Sequence, residues 1–361
     1  NTANITTPTI LDGTANFQPT LYTGDGSTRN IDQTGNSTFQ PDFVWIKNRS
    51  QADSHMLIDA TRGVTKEIHS DTAAIQTTDA DGLTSFDSDG FGLGTGAGGY
   101  NDDTESFVAW QWLAGGGAGS SNEDGTINTT TTTVNTTAGI SISTYDGNDV
   151  AGATIGHGLG VIPQMILIKH IEDTPHNWVV YHSGIFGATD PETDYLVLDL
   201  TQSAYDQTNI FNDTAPTSSV FSLGSSAAVN KSSSGFVAYA FANVEGFSCF
   251  GSYRGNSVAA NGPIVYTGFK PAYVMIKNST GTGAWFIYDN QRSPYNEIDD
   301  QLQANAATAE TTGSEEIDFL SSGFKIQTDD SEINYASSYY IYAAFAEYPF
   351  GGDGATPATT F

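Results

Sequence analysis

Pro41-Asp-Phe-Val-Trp-Ile-Lys47 is spelled three times in this chain, with Pro163-Gln-Met-Ile-Leu-Ile-Lys169 and Pro271-Ala-Tyr-Val-Met-Ile-Lys277 as its other versions. Each has a Pro, a run of apolar residues and a closing Lys. The first run is apolar at both parities, Phe43 and Trp45 on one side and Val44 and Ile46 on the other, which describes a strand buried on both faces. Working outward, Tyr-x-Gly precedes each run as Tyr22-Thr-Gly24, Tyr145-Asp-Gly147 and Tyr253-Arg-Gly255, with Tyr-to-Pro distances of 19, 18 and 18. Downstream, Phe107-Val-Ala-Trp-Gln-Trp112, Phe236-Val-Ala-Tyr-Ala-Phe241 and Tyr340-Ile-Tyr-Ala-Ala-Phe345 begin 66, 73 and 69 residues after the Pro. Before them lie Phe91-Gly-Leu93, Phe221-Ser-Leu223 and Phe324-Lys-Ile326, at gaps of 16, 15 and 16. Four anchors in one order, in triplicate, define an internal repeat of about 100 residues, too long for a solenoid unit or a propeller blade.

The predicted fold is therefore all-β: three tandem antiparallel β-sandwich domains, jelly-roll-like, with little helix. The boundaries read as a polar tail over 1–16, the first sandwich over 17–114, a Gly/Ser/Thr-rich linker over 115–138, the second over 139–246, the third over 247–352 and a tail over 353–361. Gln301–Glu310 and, more weakly, Ser70–Ala74 are the segments with helical composition. Copies two and three are joined with little slack and should pack together.

Composition narrows the function classes. Against 12 Lys+Arg stand 41 Asp+Glu, a net charge of −29 that repels phosphate and argues against nucleic acid and anionic membrane surfaces as partners. The acids are 29 Asp and 12 Glu, which favours turns over helices, while 12% aromatic residues argue against disorder. The single Cys249 excludes an internal disulfide framework and reads as an inert thiol between Phe247 and Phe250. No apolar run reaches the length of a membrane-spanning helix.

Phe39-Gln-Pro-Asp-Phe-Val-Trp-Ile-Lys-Asn-Arg-Ser50, His55-Met-Leu57, Ser85-Phe-Asp-Ser-Asp-Gly-Phe91 and Phe107–Trp112 together resemble a repeated, uncharacterised domain of structural proteins in marine tailed bacteriophages of the cyanophage type. Val229-Asn-Lys231, Gly246-Phe-Ser248 and Tyr266-Thr-Gly-Phe-Lys-Pro271 match later parts of that pattern, so the resemblance spans roughly residues 17–352. It implies a virion protein on the particle surface, first a tail-fibre or spike component in host-surface attachment and second a head decoration. It carries no catalytic motif. A capsule-degrading depolymerase and a cellular surface adhesin are the competing classes.

Chemistry-bearing motifs are sparse. Gly94-Thr-Gly-Ala-Gly-Gly99 spells a dinucleotide fingerprint without the following helix that fingerprint needs. Asp79-Ala-Asp-Gly82 and Asp87-Ser-Asp-Gly90 are acidic turns where Ca²⁺ would sit if anywhere, with Asp102 and Asp103 a further acidic pair, but neither turn has the remaining ligands of an EF-hand loop. His170, His176 and His182 are spaced by six and lack a completing ligand pattern. No catalytic, cofactor or metal residue is assigned. Trp178 and Trp285 open their strands beside polar turns and are the candidate sugar-stacking residues for a host glycan, whereas Trp45, Trp110 and Trp112 read as core. The expected assembly is a homo-oligomer, a trimer in first place, in which copies cover one another's sheet edges, alongside other virion proteins.

Overall fold

The computed structural model describes residues 9–95 and 98–348. These residues form antiparallel sheets, and their α-helical content is three single turns, Thr208–Phe211, Ala227–Asn230 and Ser331–Asn334. In copy one a front sheet pairs Phe17–Thr23, Ser106–Trp112, Phe43–Asn48 and Met56–Asp59 in that order. The same order recurs as Ile140–Asp146, Gly235–Phe241, Met165–His170 and Val179–His182 in copy two. Copy three repeats it with Ser248–Arg254, Tyr339–Phe345, Tyr273–Asn278 and Trp285–Asp289. Behind each front sheet a back sheet pairs Arg29–Asp32 with Gly90–Leu93, Ala153–Gly156 with Val220–Leu223, or Ile264–Tyr266 with Gly323–Ile326. In copy three, Ile298–Gln303 and Thr311–Leu320 join front and back into one eight-stranded sheet.

The two-faced apolar strands now have two destinations. Val44 and Ile46 pack into copy one's own sandwich, as Ile166 and Ile168 do in copy two and Val274 and Ile276 in copy three. The opposite parity, Phe43, Trp45, Met165, Leu167, Tyr273 and Met275, points into one central cluster shared by all three copies. Phe43 lies 4.8 Å from Tyr239, Trp110 5.7 Å from Tyr273 and Phe241 6.1 Å from Phe345, so aromatic pairs cross every seam. The copies therefore close around a common core as a pseudo-threefold ring.

Tyr-x-Gly is explained by a strut inside each sandwich. Tyr22, Tyr145 and Tyr253 donate their hydroxyls to the carbonyls of Tyr100, Val229 and Ile333, at 2.7, 2.8 and 2.7 Å. The next residues, Asn101, Asn230 and Asn334, accept through Oδ1 from the amides of Asp25, Asn148 and Asn256. Each Gly lies against that segment, and a Cβ on Gly147 would sit 2.4 Å from the Lys231 carbonyl oxygen. Gly147→Ala should therefore cost about 1–3 kcal/mol, the usual range for forced overpacking. Gly117→Ala, where a Cβ meets nothing within 4 Å, should stay within about 0.5 kcal/mol. Urea unfolding of both variants checks the contrast.

Three segment expectations are corrected. The stretch 115–138 is not a free linker: Thr131–Asn135 pairs with Ile140–Asp146, and Ser120 bridges Thr132, because its run of β-branched Thr129–Val134 suits a sheet edge. Within 1–16, Ile10 is buried in the central cluster and the Thr14 amide bonds the Glu347 carbonyl, since an apolar side chain there finds the core. Residues 301–303 belong to a strand and 70–74 form no helix, tertiary pairing having overridden weak propensity. The tail 353–361 and residues 96 and 97 of the Gly-rich motif lie outside the described residues.

Candidate functional site

The repeated Lys is where the ring is held. Lys47, Lys169 and Lys277 are fully buried at equivalent strand ends, opposite Val108, Val237 and Ile341. Lys47 Nζ donates across a seam to the Ala307 carbonyl at 3.1 Å, Lys169 to Ala73 at 2.8 Å and Lys277 to Thr201 at 3.0 Å. Copy one thus reaches copy three, copy two reaches copy one, and copy three reaches copy two, which closes the circle. Remaining protons go to carbonyls of the same copy, such as Asn48, His176 and Gly283. Burial lowers the ammonium pKa to about 8 at Lys47, about 8 at Lys169 and about 7 at Lys277.

Four residues before each of those carbonyls lies a second bond of the same hand. Trp178 Nε1 donates to the His69 carbonyl and Trp285 Nε1 to Val197, at 2.8 and 2.9 Å. In copy one the equivalent residue is His55. Its Nδ1 accepts from Trp45 Nε1, so its Nε2 carries the proton and donates to Gln303. Trp178 and Trp285 are 0% and 1% exposed. The sugar-stacking assignment is therefore corrected: their polar flanks belong to the neighbouring copy, and neither ring presents a face to solvent.

A third bond at each seam involves a buried acid or its substitute. Asp289 Oδ2 accepts from Arg292 Nε at 2.6 Å and from Trp110 Nε1 at 2.9 Å. Asp59 Oδ2 accepts from Arg62 Nε at 2.5 Å and from the Tyr239 hydroxyl at 2.6 Å. In copy two the equivalent residue is His182. It accepts the Gly184 amide at Nδ1 and donates from Nε2 to the Tyr342 carbonyl. Arg292 continues to Glu310, which also holds Arg49 of copy one.

The remaining motif residues are dispersed. His170 stacks between Phe236 and His176 at 4.6 and 5.0 Å, while His182 serves the seam just described, so the three histidines form no common site. Asp87 ends strand Leu83–Asp87 and Asp89 lies in the two-residue turn to its partner strand Gly90–Leu93. Asp102 instead meets Glu105 of its own loop and Asp53 of another, with ligand oxygens within 4.8 Å of one another. Asn48 Nδ2 bonds both Asp53 and Glu105 and takes up part of that donor set, short of the six to eight oxygens Ca²⁺ prefers. Cys249 is half-buried beside the Tyr342 hydroxyl, and burial raises its thiol pKa.

An open concavity lies on copy three. A cleft of about 540 Å³ is lined by Lys270, Asn290, Pro294, Tyr295, Asn296 and Phe319, among others. Tyr295 is 83% exposed. Asn290 donates to the buried Glu347, while its own Oδ1 has no hydrogen-bond partner. An exposed aromatic face beside an ammonium group makes a surface suited to a polyhydroxylated ligand. Sequence reading passed over Tyr295 because a lone Tyr between Pro and Asn carries no pattern.

A single family model spans the ring. Residues 12–349 match a domain of unknown function, DUF7483, and the chain belongs to that family. One unit thus covers all three copies. No curated protein and no solved structure matches the chain.

Proposed function

We propose that this chain is a non-catalytic structural protein on the exterior of a tailed-bacteriophage particle, a tail-fibre or spike component that engages the host surface. The observation that carries the reading is the closed ring. The repeated Lys, the Trp residues that open strands and the buried Asp–Arg pairs are all committed to holding copies together. The sequence resemblance to phage virion proteins supplies the address. The three-copy arrangement supplies, within one chain, the mutual covering of sheet faces that fibre trimers obtain between chains.

In this reading the copy-three cleft contacts a host glycan. A sugar ring stacks on Tyr295, and Lys270 faces a sugar carboxylate or ring oxygen. Calorimetric titration with purified host surface polysaccharide tests the contact. Tyr295→Ala should weaken binding about tenfold or more, equivalent to about 1.4 kcal/mol. Equal binding by both proteins would remove the cleft from the account, and gold-labelled antibody absent from the particle surface would remove the virion assignment.

A further inference from the structure

The three copies treat one equivalent edge strand in three ways. In copy two, the edge of Ala153–Gly156 is covered: the Ile127 amide donates to the Thr154 carbonyl at 3.1 Å, and Ile127 bridges Ile155. In copy one, Arg29–Asp32 carries exposed Asn30 and Asp32, polar groups that discourage edge pairing. In copy three, Ile264–Tyr266 has neither protection among the described residues. Ile264 and Tyr266 are 70% and 73% exposed, and Val265 between them is buried.

The backbone of this strand is also available. Pro263 accepts from the Ile326 amide and Thr267 donates to the Ser322 carbonyl, so the odd positions bond inward. By antiparallel alternation, the N–H and C=O groups of Ile264 and Tyr266 point away from the sheet. Charge removes the usual obstacle to self-association. The segment 246–288 contains no Asp or Glu and holds Arg254 and Lys270 outside the buried core, in a chain whose net charge is −29.

We propose that two copies of the chain join edge to edge through Ile264–Tyr266, antiparallel about Val265. This register makes Ile264 face Tyr266 of the second copy, twice, and satisfies four outward backbone groups on each side. Aromatic with β-branched neighbours are favourable cross-strand pairs. The contact is isologous and closes at two chains, leaving no further edge of this kind to extend.

Sedimentation velocity from about 1 to about 200 µM, in about 0.5 M NaCl to screen the remaining charge, tests the proposal. The expected result is a concentration-dependent dimer. Ile264→Lys with Tyr266→Lys should weaken association at least 100-fold while leaving the melting temperature unchanged. Asn30→Lys on the equivalent copy-one edge should leave association unaltered. A chain that stays monomeric over the whole range overturns the proposal, as does a dimer that survives the double substitution or an assembly that closes at three. Hydrogen exchange gives an independent reading: the Ile264 and Tyr266 amides should slow as concentration rises, and unchanged exchange in a dimer would place the interface elsewhere.

Discussion

Asp289→Ala should destabilise the whole chain by about 3–5 kcal/mol, the cost of leaving a buried charge without its partner. Asp289 is the carboxylate on which Arg292 and Trp110 converge, and neither side chain of the ion pair is exposed. Removing it strands a buried guanidinium and an indole N–H at the seam of copies one and three. Glu310 keeps one contact to Arg292, so the loss is not total. Asp59→Ala should cost a similar amount at the next seam, where Arg62 and Tyr239 lose the same acceptor. His182→Ala should cost less, about 1–3 kcal/mol, because no charge is stranded and one carbonyl loses its donor. Urea unfolding of the three variants reads the order directly. A larger loss at His182 than at either acid would contradict the account of the seams.

Stability should rise with pH between about 7.5 and 9.5. The folded lysines titrate near 8, 8 and 7, whereas a lysine in the unfolded chain titrates near 10.4. Across that interval the unfolded chain binds more protons, so the unfolding free energy climbs as pH increases. Each lysine contributes up to about 1.4 kcal/mol per pH unit. Above about pH 10 the trend reverses. Tyr22, Tyr145, Tyr239 and Tyr253 are buried and their pKa is raised well above 10, so the unfolded chain loses phenolic protons first. Lys169→Met should flatten the rising limb by roughly a third, since one of three lysines is removed, and lower stability because two carbonyls lose their donor. A midpoint that is flat or falling from pH 7.5 to 9.5 would show that these lysines keep their charge at no cost.

Much of the fold was legible because repeats expose constraint. The doubly apolar strand at Phe43–Ile46 announced burial on both faces, and the structure gives one face to the sandwich and the other to the ring. What the sequence concealed was the identity of the second partner, since an apolar parity looks the same whether a back sheet or a neighbouring copy covers it. The closing Lys was visible as an anchor, but its function depends on carbonyls 76 to 260 positions distant in numbering, with no side-chain pattern of their own. Two signals were present and unread. Asp59-Ala-Thr-Arg62 and Asp289-Asn-Gln-Arg292 both begin 12 residues after the repeated Lys. Asn101, Asn230 and Asn334 each lie 6 residues before the anchors Phe107, Phe236 and Tyr340. The Trp178 and Trp285 assignments failed because hydrophilic flanks suggest solvent, and here they are the covering loops of the next copy. The Asp53, Asp102 and Glu105 group could not be assembled from local spacing, since Asp53 reaches the Asp102–Glu105 loop from a separate one.

Small-angle X-ray scattering, extrapolated to zero concentration, addresses the closed ring itself. For 361 residues folded as one compact body, the radius of gyration should be about 21–23 Å. Three sandwiches of about 13 Å each, strung in a line without shared faces, would give roughly 28 Å or more and an elongated distance distribution. A single compact peak at the smaller radius is the expected result. The larger radius would mean that the copies stand apart, and that the buried lysines and tryptophans do not hold a ring.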